Sequence, residues 1–180
     1  MAIIFLNGCT SAGKTSLARG LQDRLGGAWL RVGIDDAIAM LGVRYHDHPD
    51  GFRFDRDPGG LVRLNVGPAG QAALAAWRRG VAAMAASGAD LIIDEVLLCP
   101  DWLDDWRAVL PDVPLLMVGV RCDLAELERR ERARGDRVIG QARGQFSHVH
   151  AHMSYDVEID TGTRSLAECV EAIAERIEAR

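Results

Sequence analysis

Ala2-Ile3-Ile4-Phe5-Leu6-Asn7 runs directly into Gly8-Cys9-Thr10-Ser11-Ala12-Gly13-Lys14-Thr15, and a helical pattern follows through Ser16-Leu17-Ala18-Arg19-Gly20-Leu21. The octet from Gly8 to Thr15 fits G-x-x-x-x-G-K-S/T, the loop that wraps nucleotide phosphates between a strand and a helix. Glycine lets backbone N–H groups turn inward, and a helix N-terminus adds partial positive charge. Gly8, Cys9, Thr10, Ser11, Ala12, Gly13, Lys14, Thr15 and Ser16 are therefore the candidate nucleotide-binding residues, and the expected ligand is ATP or GTP. Lys14 is the only lysine of a chain otherwise charged by arginine. A mobile point charge on the β- and γ-phosphates is a task for which arginine's planar fork is ill shaped. The Thr15 hydroxyl is placed to ligate magnesium. Cys9 reads either as a small loop residue or as an oxidation-sensitive thiol.

The whole chain has 180 residues, of which 48% are hydrophobic, enough for one packed domain spanning 1–180. A net charge of −5 argues against nucleic acid or an anionic membrane as the main partner. No apolar stretch reaches the ~20 residues of a membrane helix. The N-terminus has no basic region ahead of its strand, so it does not read as a signal peptide. Cys9, Cys99, Cys122 and Cys169 are scattered without a C-x-x-C pair, which suits reduced thiols in the cytoplasm. Monomer or homo-oligomer stays open.

Outward from the first strand and helix, short solid apolar runs recur at 29–34, 91–93, 115–120 and 157–159. Helical patterns lie at 36–41, 68–87, 101–109, 123–133, 138–150 and 165–179. That alternation predicts a three-layer α/β fold, a five-stranded parallel sheet with helices on both faces. Ligands of such sheets bind beyond the carboxyl ends of the strands. Residues 44–67 break the rhythm: Phe52-Arg53-Phe54 and Leu61-Val62-Arg63-Leu64 alternate around Asp57-Pro58-Gly59-Gly60, which predicts a hairpin-like insertion at the ligand edge.

Leu91-Ile92-Ile93-Asp94-Glu95 is an apolar strand ending in acids, and Asp94 is the candidate magnesium ligand beside Thr15. The charged helix after Asp123 carries Glu126–Arg130 and Glu128–Arg132 at ion-pair spacing. Arg134 and Arg137 straddle the Gly135 hinge and read as lid arginines that neutralise a phosphoryl group in transit, on a lid spanning about 130–140. Asp35 and Asp36 follow the second strand. One is suited to accept a hydroxyl proton and the other to cap the next helix, with Asp35 preferred as the base from position alone. Trp29, Phe52, Phe54 and Val96 are candidate walls of an acceptor pocket, or ordinary core. His148-x-His150-x-His152 has metal-like spacing but lacks an obvious fourth ligand. Trp102 and Trp106, four apart, suit a helix packing face.

Taken together, the chain resembles the chloramphenicol phosphotransferases, small P-loop kinases related in fold to shikimate and nucleoside monophosphate kinases. The resemblance is carried in order by Phe5-Leu6-Asn7-Gly8 with Ser11-Ala12-Gly13-Lys14, Gly33-Ile34-Asp35, Ile92-Ile93-Asp94, Val118 to Asp123, Ala133-Arg134-Gly135-Asp136-Arg137-Val138, and Tyr155 to Thr161. It implies ATP-dependent phosphorylation of a hydroxyl on a small antibiotic, the primary alcohol of chloramphenicol. It makes Asp35 the general base, gives the phosphates to Lys14, Thr15, Arg134 and Arg137, and places Thr161 at the nucleotide-base pocket. Cys9 departs from the family where a second glycine is common. Glu95 stands where another aspartate is usual, putting a longer carboxylate toward the acceptor. The 44–67 segment diverges most, so acceptor specificity is expected there. Two further readings remain: a metabolic kinase whose anionic acceptor meets Arg44, Arg53, Arg56 and Arg63, and a nucleotide-dependent switch that binds a protein partner.

Overall fold

The computed structural model describes residues 1–110, 113–135 and 138–180. In chain order its elements are β1 (Ile3–Gly8), α1 (Lys14–Arg24), β2 (Trp29–Gly33), α2 (Ile34–Met40), β3 (Phe52–Arg56), β4 (Val62–Val66), α3 (Pro68–Ala86), β5 (Asp90–Glu95), α4 (Pro100–Val109), β6 (Leu115–Arg121), α5 (Leu124–Arg134), α6 (Gln141–Phe146), β7 (Val157–Asp160) and α7 (Leu166–Glu178). β1 is buried at every position, as its unbroken apolar run requires, and it occupies the centre of a parallel sheet ordered β2-β5-β1-β6-β7.

Side-chain alternation sorts the strands between two apolar layers. Ile4, Leu6 and Ile92 point to the layer of α1, α5, α6 and α7, where Leu17, Leu21, Leu127 and Ile173 meet them. Ile3, Phe5, Leu91 and Ile93 point to the layer of α2, α3, α4 and the β3–β4 hairpin, against Ala37, Leu74, Trp106 and Phe52. Trp106 fills that second layer edge-on, with ring centroids 5.5 Å from Phe5 and 5.3 Å from Trp77. The hairpin is antiparallel, pairing Phe52 with Val66 and Arg56 with Val62, and its turn closes as the Leu61 N–H donates to Asp57 Oδ1 at 2.9 Å.

Two boundaries differ from expectation. α2 starts at Ile34, not Asp36, because the Asp36 carboxylate accepts the Gly33 N–H at 2.7 Å and draws both aspartates into the first turn. The helix expected over 138–150 covers only Gln141–Phe146 and gives way to turns through His152. There the Val149 carbonyl accepts the Asn7 side-chain amide at 2.8 Å instead of continuing the helical ladder. The histidines therefore share neither a strand face nor a helix face. Among the described residues no group of three His, Cys, Asp or Glu is arranged to hold a metal ion. No described helix is long and apolar enough to cross a membrane.

Asn7, fully buried, spends its carboxamide three ways: Nδ2 donates to Val149 O and to Tyr155 Oη, each at 2.8 Å, and Oδ1 accepts the Leu97 N–H at 2.9 Å. Asn7→Leu leaves the Val149 carbonyl and the Leu97 N–H without this partner, while Tyr155 Oη keeps His150. At about 1–3 kcal/mol for each of these two groups, it should lower the unfolding free energy by about 2 kcal/mol or more in chemical denaturation.

Tyr155 Oη in turn lies 2.6 Å from His150 Nδ1. Burial, then the nearby Arg121 charge, pushes the imidazole down to about 4 from its usual 6.5. Between those values the unfolded chain binds a proton that the native state refuses, so this group's contribution to stability falls as pH drops from about 6.5 toward 4. His150→Gln should flatten that limb of the stability–pH curve; an unchanged slope would refute the assignment.

Candidate active site

The phosphate loop begins where β1 ends. Ser11 and Gly13 adopt left-handed backbone, φ 62° and 87°, which turns the loop back on itself ahead of α1. Lys14, only 7% exposed, donates from Nζ to Cys9 O at 2.9 Å and stands 3.8 Å from Asp94 Oδ1. The Thr15 hydroxyl donates to Asp94 Oδ2 at 2.6 Å. Two hard oxygen donors are thus side by side next to a buried ammonium. Ser11 Oγ is buried without a hydrogen-bond partner among the described residues, an orphan that a phosphate oxygen would satisfy. This donor set fits a magnesium–phosphate group.

Within the octet the side chains divide. Thr10, Ser11, Gly13, Lys14, Thr15 and Ser16 line a cleft of about 220 Å³. Cys9 and Ala12 turn into the core instead. Burial pushes the Cys9 thiol up to about 11, partly offset by Lys14, so it is a protonated packing group. Gly8 is a steric requirement: a β-carbon there would collide with the Val120 carbonyl on β6.

Across the cleft stand Asp35 from the first turn of α2, Arg31 from β2, Phe54 and Leu64 from the hairpin, and Val96, Leu98 and Trp102 beyond β5. Gln141 and Gln145 of α6 and Arg134 at the end of α5 close it. Arg134 also lines a second, wider cavity on the far side of the phosphate loop, together with Ser16, Arg130 and Thr161. Thr161 is clamped there: its hydroxyl donates to Ala12 O at 2.9 Å, while Arg130 Nη2 donates to its carbonyl at 2.7 Å. Arg137 lies outside the described residues. The expected pairs on α5 form, Glu126 with Arg130 at 2.7 Å and Glu128 with Arg132 at 3.9 Å. Hydrogen bonds from Arg129 and Arg130 hold the Glu126 carboxyl down at about 2.

Three residues expected at the acceptor are elsewhere. Glu95 follows Asp94 by one position, so strand alternation sends it to the opposite layer. It is fully buried behind α3 and α4, 3.9 Å from Arg78 Nη2. Burial raises its carboxyl to about 8, with Arg78 opposing. Trp29 opens β2 at the end remote from the cleft, its indole N–H donating to Gly26 O at 3.1 Å. Phe52 is core, 1% exposed. Conversely, Arg31, Ile38, Leu64, Leu98, Trp102, Gln141 and Gln145 line the cleft without having been singled out for it. For Gln141 and Gln145 the one sequence signal is their i,i+4 spacing.

Fold and site define a P-loop phosphotransferase. The chain belongs to the family described as chloramphenicol phosphotransferase-like protein, which it matches over residues 1–178. A Mycobacterium tuberculosis relative, whose name provisionally assigns it as an O-phosphotransferase, is 33% identical across 98% of this chain and 82% of its own. Among solved structures, the Deinococcus radiodurans tunicamycin resistance protein superposes with a TM-score of 0.66 at 16% identity, covering 99% of this chain and 96% of its own. The M. tuberculosis APS kinase CysC, solved with AMPPNP and APS, superposes with a TM-score of 0.63 at 17% identity, covering 98% of this chain and 97% of its own. These two share the fold.

Proposed function

We propose that the protein transfers the γ-phosphoryl group of magnesium-ATP to a hydroxyl of an uncharged, largely apolar small molecule, with chloramphenicol the acceptor to test first. The observation that carries this reading is the single cleft in which Lys14, Thr15 and Asp94 face Asp35 and the apolar walls Phe54, Leu64, Val96, Leu98 and Trp102. Phosphate machinery and a carboxylate thus share one small space beside a surface that suits an apolar body.

In the mechanism, Asp35 orients the acceptor hydroxyl and takes its proton as the oxygen attacks the γ-phosphorus; the new O–P bond forms as the bond to the β-phosphate oxygen breaks, and ADP leaves. Lys14 and Arg134 neutralise the oxygens of the group in transit, the role assigned also to Arg137. Thr15 and Asp94 would hold magnesium, which when bound supplies positive charge to the β- and γ-phosphates. Thr161, with Arg130, would border the nucleotide base and ribose.

The arginines of residues 44–67 favour a neutral acceptor over an anionic one. Arg53 pairs with Asp55 at 2.6 Å, Arg56 donates to Gly60 O at 3.3 Å, and Arg44 lies 4.8 Å over the Tyr45 ring. None of these, nor Arg63, lines the cleft. Arg31 does, and it is partnered by Asp36 at 3.4 Å.

With magnesium-ATP and chloramphenicol, mass spectrometry should find the drug heavier by one phosphoryl group. ATP binding without a modified drug would reject this acceptor and leave the phosphate site standing. Asp35→Asn should cut turnover by ~10²-fold or more while nucleotide binding persists. Phe54→Ala should raise the acceptor KM about tenfold, the equivalent of about 1.4 kcal/mol of lost apolar contact, with little change in the KM for ATP.

A further inference from the structure

The short helix α6 touches the helix α5, the β3–β4 hairpin and the phosphate loop, three walls of the cleft. At its start the fully buried Glu131 carboxylate of α5 accepts the Gly140 and Ala142 N–H groups at 2.8 and 2.9 Å, fastening α6 to the lid helix. On its outer side the hairpin is pressed against it. The Val62 N–H donates to Gly140 O at 3.1 Å, and a β-carbon on Gly140 or Gly144 would collide with the Gly60 or Val62 carbonyl. Backbone therefore lies on backbone, and the hairpin cannot shift without moving α6. On its inner side Gln145 Oε1 accepts the Thr10 N–H of the phosphate loop at 2.7 Å. Only the oxygen of a carboxamide accepts, so this bond fixes the flip of the amide and directs its NH₂ away from the loop. Gln145 lines the same cleft as Phe54 and Leu64, the acceptor walls that the hairpin carries.

We propose that Gln145 is a positioning residue that links the phosphate loop to the acceptor hairpin through α6, so that filling the nucleotide site orders the acceptor wall. The inference rests on the reading of Gly8–Thr15 as the nucleotide loop but not on the identity of the acceptor. A rearrangement of the loop around phosphate moves Thr10. Thr10 moves Gln145, and the glycine-to-carbonyl contacts pass the displacement to β4. Bound nucleotide and bound acceptor then favour each other, because each stabilises the same placement of α6.

The test is hydrogen–deuterium exchange of the full chain with and without magnesium and AMPPNP. In the wild type, amides of both 8–16 and 62–66 should slow when nucleotide is added. In Gln145→Met, which keeps the length and bulk of the side chain, 8–16 should still slow, while the effect on 62–66 falls by at least half. Gln145→Ala should behave in the same way. Gln145→Glu retains an oxygen for the Thr10 N–H and should restore the response of 62–66. Equal slowing of 62–66 in the methionine variant, or none in a wild type whose loop responds, would overturn the proposal. A wild-type loop that does not respond at all would remove the nucleotide reading itself, and the coupling with it.

Discussion

One buried carboxamide holds the floor of the active cleft together. Asn7 is the next-to-last residue of β1, just before the phosphate loop, and its three hydrogen bonds reach the segment after β5, the turns after α6 and the approach to β7. The Leu97 N–H and the Val149 carbonyl are backbone groups outside any strand pairing, and the third partner is the Tyr155 hydroxyl just ahead of β7. A residue with one acceptor and two donors is the least bulky way to satisfy all three at once. The turns after α6 lie where they do because Asn7 takes the Val149 carbonyl, and Gln145 meets Thr10 because α6 ends just before them.

The second organising constraint is the two-residue period of β5. Asp94 and Glu95 are neighbours in sequence and separated by the full thickness of the sheet in space. Asp94 joins the ammonium and hydroxyl of the phosphate loop, where charge is in use. Glu95 enters an apolar layer, where Arg78 Nη2 stands 3.9 Å away and Trp106 lies close enough to favour the charged form against the burial that opposes it. The same carboxylate chemistry therefore yields a paired, hydrogen-bonded group on one face and a costly buried acid on the other.

What could be read from the sequence was what depends on near neighbours. The phosphate loop is eight consecutive residues. Asp94 is marked by the end of an apolar run, and the hairpin by alternation about Asp57-Pro58-Gly59-Gly60. An aromatic side chain suits a pocket wall and a packed core equally, so the residue types of Trp29 and Phe52 do not decide between the two, and packing takes both away from the cleft. Trp102, Leu98 and Gln145 arrive in the cleft by tertiary packing from elements far along the chain. Gln145 in particular is one polar residue of a short helix, distinguished only by the amide it meets. For Glu95 the two-residue period of its apolar run already points away from Asp94's side of the sheet.

The distribution of thiols also makes the molecule selectively addressable. Cys9, Cys122 and Cys169 are buried, and burial raises the pKa of each, so they are poor nucleophiles. Cys99 is the partly exposed one, and it caps α4 between Leu98 and Pro100. A maleimide dye under native conditions would therefore attach at a single position, one residue from the apolar wall of the cleft. The unaltered chain thus carries its own attachment point for an environment-sensitive reporter of acceptor binding.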